Sequence, residues 1–255
     1  MVKKIIAYKF LPNLVEGIIV KRIRSYIMLV KYKNEIIKCH CPTTCSIGNF
    51  SLQNLPCLLS ISDDPKRKTK YTVEAISLDN KKIKNKKWIG INQSKANKYF
   101  EHFLKQGTFD KIFPNINKIE REKIFNNSKF DFKIDNTFLE IKTPLQIIKT
   151  DIPKYVKLKK EIKFSSGKRF LKHVVDLKNY LKLKKRAILI FLYMYDINLR
   201  NIYFTENDKK QYDKNAEKIV DEFKETEKIG LETWVVKLKI NKKELNFIEL
   251  KKIHI

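Results

Sequence analysis

The sequence predicts a two-domain α+β protein in which a small β-barrel precedes an α/β layer domain. The first 80 residues consist of short segments rich in Ile, Val, Leu and Tyr, separated by turn residues. After them, helical apolar spacing alternates with strand-like segments, which is typical of a layered α/β domain. The 255 residues are 43% hydrophobic, which is enough for packed cores and too much for a disordered chain. We therefore expect a barrel in residues 1–85 and an α/β domain in residues 86–255.

The barrel is predicted from five short strands with a basic surface. They are Ile18–Arg24, Ser25–Lys33, Glu35–Cys41, Cys57–Ser62 and Thr69–Leu78. This number and length of strands indicate a barrel of the oligonucleotide-binding (OB) type, although other small barrels share the same periodicity. The lysine-rich run Lys81–Lys87 is predicted to be a surface linker or an exposed hairpin tip.

The elements of the second domain follow from their apolar patterns. Ser94–Gln106 has helical spacing, and Gly107 is expected to end that helix. Ala187–Met194 is an unbroken apolar run and therefore a predicted buried strand. The remaining predicted elements are the strands Phe130–Ile134, Thr137–Ile141 and Thr233–Ile240, the helices Arg169–Leu183 and Lys209–Lys228, and a final strand at the end of the chain.

The charge of the chain predicts a polyanionic partner. There are 55 Lys and Arg against 28 Asp and Glu, which gives a formal net charge of +27. Such a field attracts nucleic acid, the most abundant polyanion in a cell. Only seven of the basic residues are Arg, and Lys lacks the planar fork that reads bases. We therefore expect phosphate contacts without strong sequence specificity, although an A/T-rich genome would also enrich Lys.

The sequence contains no predicted membrane segment. Its longest apolar run, Ala187–Tyr195, has nine residues, whereas a helix that spans a bilayer needs roughly 20. The first residues carry charges at Lys9 and Glu16 that do not fit the core of a signal peptide. We therefore expect a cytoplasmic protein with no membrane partner.

The four cysteines do not form a recognisable metal motif. Cys39, Cys41, Cys45 and Cys57 lie close together with His40, but a zinc site would require two well-spaced ligand pairs. We predict that they are reduced and mostly buried, and that His40 has a structural role.

One predicted hairpin carries two carboxylates. Asp135-Asn136 is a natural two-residue turn, and it pairs the positions whose numbers sum to 271, so that Asp131 opposes Glu140. Lys142 follows on the same face. The opposite, apolar face is predicted to carry Phe130, Phe132, Ile134, Thr137, Leu139 and Ile141.

Two carboxylates in this arrangement require a compensating positive charge. Directly opposed side chains lie about 5 Å apart at Cβ, where like charges are destabilising. Neighbouring lysines would compensate in a surface salt network, whereas Mg²⁺ or Mn²⁺ would do so as a ligand of Asp131 and Glu140. In the second case Lys142 would orient the attacking water or stabilise charge on a phosphate. An Asp followed by Glu-x-Lys on the next strand is the arrangement of the PD-(D/E)XK nucleases.

Further residues are candidates for nucleic-acid contact. The stretch 66–71 combines basic and aromatic side chains, so its cations would contact phosphates while Tyr71 stacks on a base. Arg169 and His173 lie near a predicted helix start and are expected to contact phosphate. In both places an ordinary surface or packing role is the alternative. The basic candidates in the stretch are Lys66, Arg67, Lys68 and Lys70.

Several ordered motifs resemble the sugar fermentation stimulation protein family over nearly the full chain. They are His40-Cys-Pro42 with Thr44, Leu59-Ser60, Lys68–Ala75, Trp88–Asn92 with Asn97, Arg121-Glu122, Ser128–Phe132, Leu139–Lys142, Arg169 with Lys172-His173 and Leu177, and Arg186–Phe191. The resemblance implies an OB-type barrel followed by a domain of PD-(D/E)XK nuclease fold. It also implies DNA binding without strong sequence preference and a role in the regulation of sugar metabolism.

The resemblance also implies roles for individual residues. Glu122 would be the acidic group of a helix that precedes the hairpin, Asp131 and Glu140 would be metal ligands, and Lys142 would be the catalytic lysine. Lys129 stands where the family favours Arg, so a phosphate contact there would lose its bidentate geometry.

These observations predict a DNA-binding protein with a Mg²⁺-dependent, nuclease-like site for phosphodiester hydrolysis. The alternative is a DNA-binding regulator of sugar metabolism that keeps the nuclease fold without catalysis. A third possibility, an RNA-binding accessory protein, agrees with the barrel and the charge but not with the carboxylate hairpin.

Overall fold

Thirteen strands and three α-helices form the described part of the chain in this computed structural model, which comprises residues 6–43, 45–159, 168–197 and 214–254. The strands are β1 (Tyr8–Lys9), β2 (Val15–Arg24), β3 (Ile27–Tyr32), β4 (Glu35–His40), β5 (Pro56–Ile61), β6 (Tyr71–Ile76), β7 (Ile89–Gly90), β8 (Ile119–Phe125), β9 (Ser128–Ile134), β10 (Thr137–Lys142), β11 (Arg186–Tyr193), β12 (Glu232–Ile240) and β13 (Glu244–Ile253). The helices are α1 (Ala96–Leu104), α2 (Lys168–Lys182) and α3 (Lys214–Lys228).

Strands β2 to β6 form a closed barrel. The order within the sheet is β4-β3-β2-β5-β6, and an additional pairing of β4 with β6 closes it. The inward side chains Ile19, Val30, Leu59 and Val73 are fully buried, as alternation along the strands requires. The five-stranded barrel predicted from the sequence is thus confirmed.

The second sheet has seven strands in the order β1-β13-β12-β11-β10-β9-β8. The central strands β10, β11 and β12 run parallel, and the outer pairs are antiparallel. Helix α1 contributes to the apolar core on one face, while α2 and α3 contribute to the core on the other. The α/β layer domain is therefore confirmed, and the predicted start of the last helix at 209–213 lies outside the described residues.

The sequence patterns do not predict three of the strands. Strand β1 pairs with β13 of the second sheet, and β7 pairs with β6 of the barrel, so both cross the boundary predicted at residue 85. Each has two residues, too few to show a period. Strand β8 lies at the edge of its sheet and exposes most of its charged side chains, so it has no apolar alternation.

The barrel and the second sheet share one apolar core. Its buried members include Ile19 and Leu59 from the barrel together with Tyr193 and Val235 from the sheet. Gly90 approaches the sheet closely, because a Cβ at that position would lie 2.5 Å from the Cβ of Met194. The two parts are therefore packed against each other rather than joined by an open linker.

The cysteines are unpaired, as expected. Cys39, Cys41 and Cys57 are buried, and Cys45 is half-buried. Burial raises the pKa of the Cys39 thiol to about 12, so this side chain is a neutral core group. Separately, none of the helices in the described ranges is long and apolar enough to cross a membrane.

Candidate functional site

The carboxylate hairpin forms with the predicted register over its first three pairs. Thr137 pairs with Ile134, Phe138 with Lys133, and Leu139 with Phe132. In the turn Asp135 has a φ of 49°, a conformation that Asp tolerates. Beyond the third pair the ladder stops, so β9 and β10 separate where the two carboxylates lie.

Asp131 lies where β9 and β10 separate, and both of its carboxylate oxygens accept hydrogen bonds. Its Oδ2 accepts a hydrogen bond from the backbone N–H of Ile141 at 2.7 Å, and its Oδ1 accepts one from Asn97 Nδ2 at 2.7 Å. Phe130, just before it, turns to the other face of the sheet, where its ring lies 5.2 Å from that of Phe138. The prediction of one continuous apolar face was therefore wrong at Phe130, because the strand changes its facing side at Asp131.

Glu140 is buried, and its two oxygens have unequal surroundings. Oε1 accepts hydrogen bonds from Lys142 Nζ at 2.6 Å and from His173 Nδ1 at 2.6 Å. Oε2 is also buried but has no hydrogen-bond partner. Buried polar atoms in native proteins almost always have a partner, and an unpaired one is explained by a bound water or ion, by strain or by a catalytic role. Oε2 is therefore the atom at this site that can take a ligand.

The pKa values of the two carboxyl groups move in opposite directions. Burial and the neighbouring charge of Glu140 together raise the pKa of Asp131 above its ordinary value. Burial acts upward on Glu140 as well, but the hydrogen bond from His173 and the charge of Lys142 outweigh it and lower its pKa. Glu140 is therefore the stable anion of the pair, and Asp131 gains most from an added positive charge.

These residues fit a divalent cation held by two carboxylates. Within the described residues no group of three or more His, Cys, Asp or Glu side chains is placed to bind a metal. Mg²⁺ does not require such a group, because it binds through one or two carboxylates and keeps several waters. The unpartnered Oε2 of Glu140 and the carboxylate of Asp131 would supply these oxygens.

A short segment between the two domains positions the site. Gln93 Nε2 donates a hydrogen bond to the Thr143 carbonyl at 2.7 Å, directly after Lys142, and Asn97 holds Asp131. The same segment is anchored in the barrel, where Asn92 Nδ2 donates to Glu74 Oε2 at 2.7 Å. Sequence reasoning did not assign these roles, since the partners lie 18 to 50 residues apart.

The barrel presents its cations on the loop between β5 and β6. The side chains at 66–68 and 70 are exposed, as the prediction of phosphate contacts requires. Arg67 Nη2 donates to Thr72 Oγ1 at 2.7 Å, which fixes the guanidinium against the barrel wall. Tyr71 is half-buried and lines a pocket of about 290 Å³ together with Lys70. The exposed members of the predicted set are Lys66, Arg67, Lys68 and Lys70.

Comparison with known proteins agrees with this architecture. A family model described as the SfsA N-terminal OB domain matches residues 20–91. Homologues of sugar fermentation stimulation protein share 28% identity over 244 residues in Pelagibacter ubique (93% of this chain and 95% of that one) and 29% over 246 residues in Clostridium tetani (94% and 95%). The homologue from Microcystis aeruginosa is 33% identical over 140 residues, 51% of this chain and 56% of its own length.

A solved structure extends the likeness to both domains. The Pyrococcus furiosus SfsA in complex with Ca²⁺ superposes with a TM-score of 0.72 at 17% identity and covers 99% of both chains. The chain is therefore similar to the sugar fermentation stimulation proteins over both of its domains. The OB barrel and the α/β domain that packs against it are therefore a fold that the two chains share.

Glu122 does not occupy the place that the family resemblance implied. It lies on strand β8 rather than on a helix, and its side chain is 69% exposed. Its Oε2 pairs with Lys129 Nζ at 2.9 Å, so these two predicted site residues neutralise each other at the surface. The helix that the resemblance implied at this position is an edge strand in the structure. The structure does not bring Glu122 into a three-carboxylate cluster with Asp131 and Glu140.

His173 and Arg169 also differ in their exposure. His173 is only 4% exposed, and its Nδ1 lies 2.6 Å from Glu140 Oε1, so its ring is buried at the carboxylate and does not lie on the surface. Arg169 and His173 both lie in the first turns of α2. In contrast to His173, Arg169 is exposed. Of this pair, only Arg169 is available to a phosphate.

Proposed function

We propose that this protein is a metal-dependent, nuclease-like phosphodiesterase that binds DNA. The observation that carries the proposal is the buried, unpartnered Oε2 of Glu140 beside Asp131 and Lys142. Burying a carboxylate oxygen without a partner is costly, and a bound cation removes that cost. The arrangement of Asp131 on β9 with Glu140 and Lys142 on β10 supports phosphodiester hydrolysis as the reaction.

Asp131 and Glu140 would hold the cation, with Mg²⁺ or Mn²⁺ as the expected ions. The related Pyrococcus furiosus protein was solved with Ca²⁺, which supports a divalent ion here. A divalent cation supplies positive charge that activates water and neutralises a phosphate oxygen. His173 keeps Glu140 oriented, and Asn97 with the Ile141 N–H keeps Asp131 oriented.

Lys142 would contact the phosphate of the substrate. A cation bound to Glu140 would balance the negative charge that Lys142 balances in this structure. The Lys142 Nζ lies 2.6 Å from Glu140 Oε1 and also 5.3 Å from the centre of the Phe170 ring. The side chain is 27% exposed, so it can turn toward a ligand at the site. There it would stabilise the negative charge that develops on the phosphate.

The barrel would hold the DNA backbone through charge. The loop cations and the net charge of +27 predict phosphate contacts, and the excess of Lys over Arg predicts weak sequence preference. DNA affinity should therefore fall steeply as salt concentration rises. Binding that is constant from low to high salt would contradict this part of the proposal.

A second candidate is a DNA-binding regulator of sugar metabolism without catalysis. It is favoured by the ion pairs of Glu140, whose Oε1 already contacts both Lys142 and His173. These two partners balance one negative charge without any metal. In that case the hairpin would have a structural role only, and the barrel would bind the DNA.

One assay separates the two candidates. Labelled single-stranded and double-stranded DNA is incubated with the protein in Mg²⁺, in Mn²⁺ and in EDTA. The proposal predicts cleavage that requires the metal and is lost in Glu140→Gln and in Lys142→Ala. Glu249→Gln removes a partly exposed carboxylate on β13 and serves as the matched control with unchanged cleavage. Intact DNA under every metal condition, with binding retained, would establish the regulator instead.

A further inference from the structure

Strand β8 is a long, open edge of the second sheet. It comprises seven residues, Ile119–Phe125, and within the described ranges of the chain it pairs with β9 on one side only. The opposite edge of the sheet is the two-residue strand β1. The backbone N–H and C=O groups along an open edge are a template for a further strand, and short edge strands avoid this. Of the two edges, the one at β8 is therefore long enough to pair.

The side chains of β8 complement their own sequence when two copies run antiparallel. From residue 119 to residue 124 they are apolar, acidic, basic, acidic, basic and apolar. If the two-fold axis lies between residues 121 and 122, every position meets its complement in the second copy, and symmetry repeats each pair. Opposite charges in such cross-strand pairs are stabilising. The pairs are Arg121 with Glu122, Glu120 with Lys123, and Ile119 with Ile124.

The neighbouring registers place like charges together. A shift by one residue in one direction sets Arg121 against its own copy and Glu120 against Glu122. The opposite shift sets Glu122 against its own copy and Arg121 against Lys123. Like charges directly opposed on adjacent strands are destabilising, so the charges favour the complementary register over both neighbours. Charges on an edge strand usually keep other chains away, but in this order they attract a second copy.

The paired side chains also lie on matching faces of the sheet. Arg121 forms an ion pair with Glu101 of α1, so it lies on the α1 face. Lys123 is paired with Phe130, which belongs to the core on the α2 side, and its Nζ lies 2.8 Å from Glu120 Oε1. A two-fold axis perpendicular to the sheet keeps each face on its own side. Glu120 and Lys123 of both copies would therefore form an alternating cluster of four charges.

The apolar ends of the complementary segment add a hydrophobic contribution. Ile124 is 71% exposed, whereas Ile119 at the other end is half-buried. In the complementary register each Ile124 would contact Ile119 of the second copy, once at each end of the paired segment. This contact would remove exposed apolar surface from water, which favours association.

We propose that a second copy of this chain pairs with β8 in antiparallel orientation and joins the two seven-stranded sheets in a symmetric dimer. The interface consists mainly of one strand from each copy, so a dissociation constant on the order of 10 µM is expected. The net charge of +27 opposes association at low salt. At about 0.15 M salt the screening length is about 8 Å, which damps this overall repulsion more than the close cross-strand pairs.

The dimer would bring the two carboxylate sites into one row. Arg121 pairs with Phe132, so Asp131 lies beside Glu122 in the ladder of β8 with β9. Because Glu122 adjoins the two-fold axis, only β8 and its copy separate the two Asp131 residues. Three strand spacings place them about 14 Å apart, where both sites would meet one nucleic-acid molecule. This consequence rests on the proposed function, whereas the dimer itself does not.

Sedimentation velocity in EDTA and without DNA tests the dimer alone. Between about 1 and 100 µM protein the wild type should change from monomer to dimer, and Glu140→Gln should do the same. Glu120→Lys should weaken dimerisation about 5- to 100-fold, because it sets like charges against Lys123 twice in each dimer. Glu225→Lys raises the net charge equally at an exposed position on α3, and it serves as the matched control with wild-type dimerisation.

Complementary variants make the test independent of folding. Glu120→Lys and Lys123→Glu should each dimerise poorly alone and should form a heterodimer when mixed, because opposite charges then meet at both exchanged positions. The double variant that carries both exchanges should recover wild-type dimerisation. A wild type that stays monomeric at about 100 µM, or a mixture without heterodimer, would overturn the proposal. Dimerisation of Glu120→Lys equal to that of the wild type would overturn it as well, because the interface would then lie elsewhere.

Discussion

The barrel and the hairpin each bury a glutamate, and the two differ in how completely they are paired. Glu74 of the barrel is 1% exposed, and Glu140 of the hairpin is 3% exposed. Both oxygens of Glu74 accept hydrogen bonds, whereas one oxygen of Glu140 has two donors and the other has none. The donors to Glu74 are Ser60 Oγ at 2.5 Å, Lys95 Nζ at 2.6 Å, Asn92 Nδ2 at 2.7 Å and Tyr99 OH at 3.5 Å.

This difference separates a structural carboxylate from a candidate functional one. Glu74 receives donors from the barrel strand β5 and from the segment that leads into α1, so its network ties the two domains together. Glu140 receives both donors on one oxygen, although an even distribution would be more stable. A fully paired buried charge has no capacity for a ligand, whereas an unevenly paired one does. The following predictions test this distinction.

The largest effect is expected for Glu74→Ala. Removing the carboxylate leaves Lys95 and Asn92 without their acceptor in the interface between the domains. The free energy of unfolding should fall by about 3–5 kcal/mol, the usual cost of breaking a buried pair. Urea denaturation followed by circular dichroism measures this loss. A change below about 1 kcal/mol would show that Glu74 does not tie the domains together.

Glu140→Gln should separate function from stability. The amide keeps the volume of the side chain and can still accept from His173, so the free energy of unfolding should change by less than about 1 kcal/mol. Metal-dependent cleavage should fall about 100- to 1000-fold, which corresponds to roughly 3–4 kcal/mol of transition-state stabilisation. Initial rates with labelled DNA and parallel urea curves provide the two numbers. A large stability loss with unchanged cleavage would reverse the roles assigned to the two glutamates.

Adding a divalent cation should stabilise the folded protein through the hairpin only. At ten times its dissociation constant a bound ion contributes about 1.4 kcal/mol of stability. The midpoint of thermal unfolding in Mn²⁺ should rise by a few degrees relative to EDTA. The rise should vanish in Glu140→Gln and persist in the control Glu249→Gln. An equal rise in both variants would assign the effect to a different site.

Asn97→Ala tests the positioning of Asp131. The variant removes the hydrogen bond to Asp131 Oδ1 while the Ile141 N–H still holds Oδ2. Loss of such an outer contact typically weakens metal affinity about 10- to 100-fold. Calorimetric titration with Mn²⁺ measures the change, and Asn97→Gln should restore part of it. Unchanged affinity would show that the Ile141 N–H alone is sufficient.

The smallest effect concerns a third carboxylate, which is well paired but only partly buried. Burial acts to raise the pKa of Glu232, but hydrogen bonds from Arg186 and Trp234 outweigh it and lower the pKa. A lowered folded-state pKa contributes stability above the unfolded-state value, and this contribution is lost as pH falls through the folded-state pKa. Glu232→Gln should therefore remove less than about 1 kcal/mol at neutral pH and flatten the acid side of the pH–stability curve. An unchanged acid side would contradict this assignment.

The sequence predicted those parts of the fold and the site that local patterns determine. Alternation identified the barrel strands, and the Asp135-Asn136 turn determined the register of the three pairs next to it, whereas the ladder ends before the predicted pairing of Asp131 with Glu140. The face change at Phe130 was missed because it depends on the separation of β9 from β10, which no local period encodes. The helix around Glu122 was implied by the family resemblance, and the exposed edge strand β8 has no apolar alternation that would have indicated a strand instead.

The partners of the carboxylates were beyond local reasoning. His173 is 33 residues from Glu140, and Asn97 is 34 residues from Asp131, so only the packing of α1 and α2 on opposite faces of the sheet brings them together. A sequence pattern shows only that residue 173 is polar. Its burial against Glu140 follows from the tertiary structure alone. The unpaired Oε2 of Glu140 is likewise a property of the packed site.

The central claim is that Glu140 Oε2 and Asp131 bind a divalent cation together. Crystals of the protein soaked in Mn²⁺ and measured at a wavelength with strong manganese anomalous scattering test it directly. An anomalous peak is expected between these two carboxylates, with Lys142 displaced from Glu140. The absence of a peak there, with Lys142 still bonded to Glu140 Oε1 in saturating Mn²⁺, would contradict it.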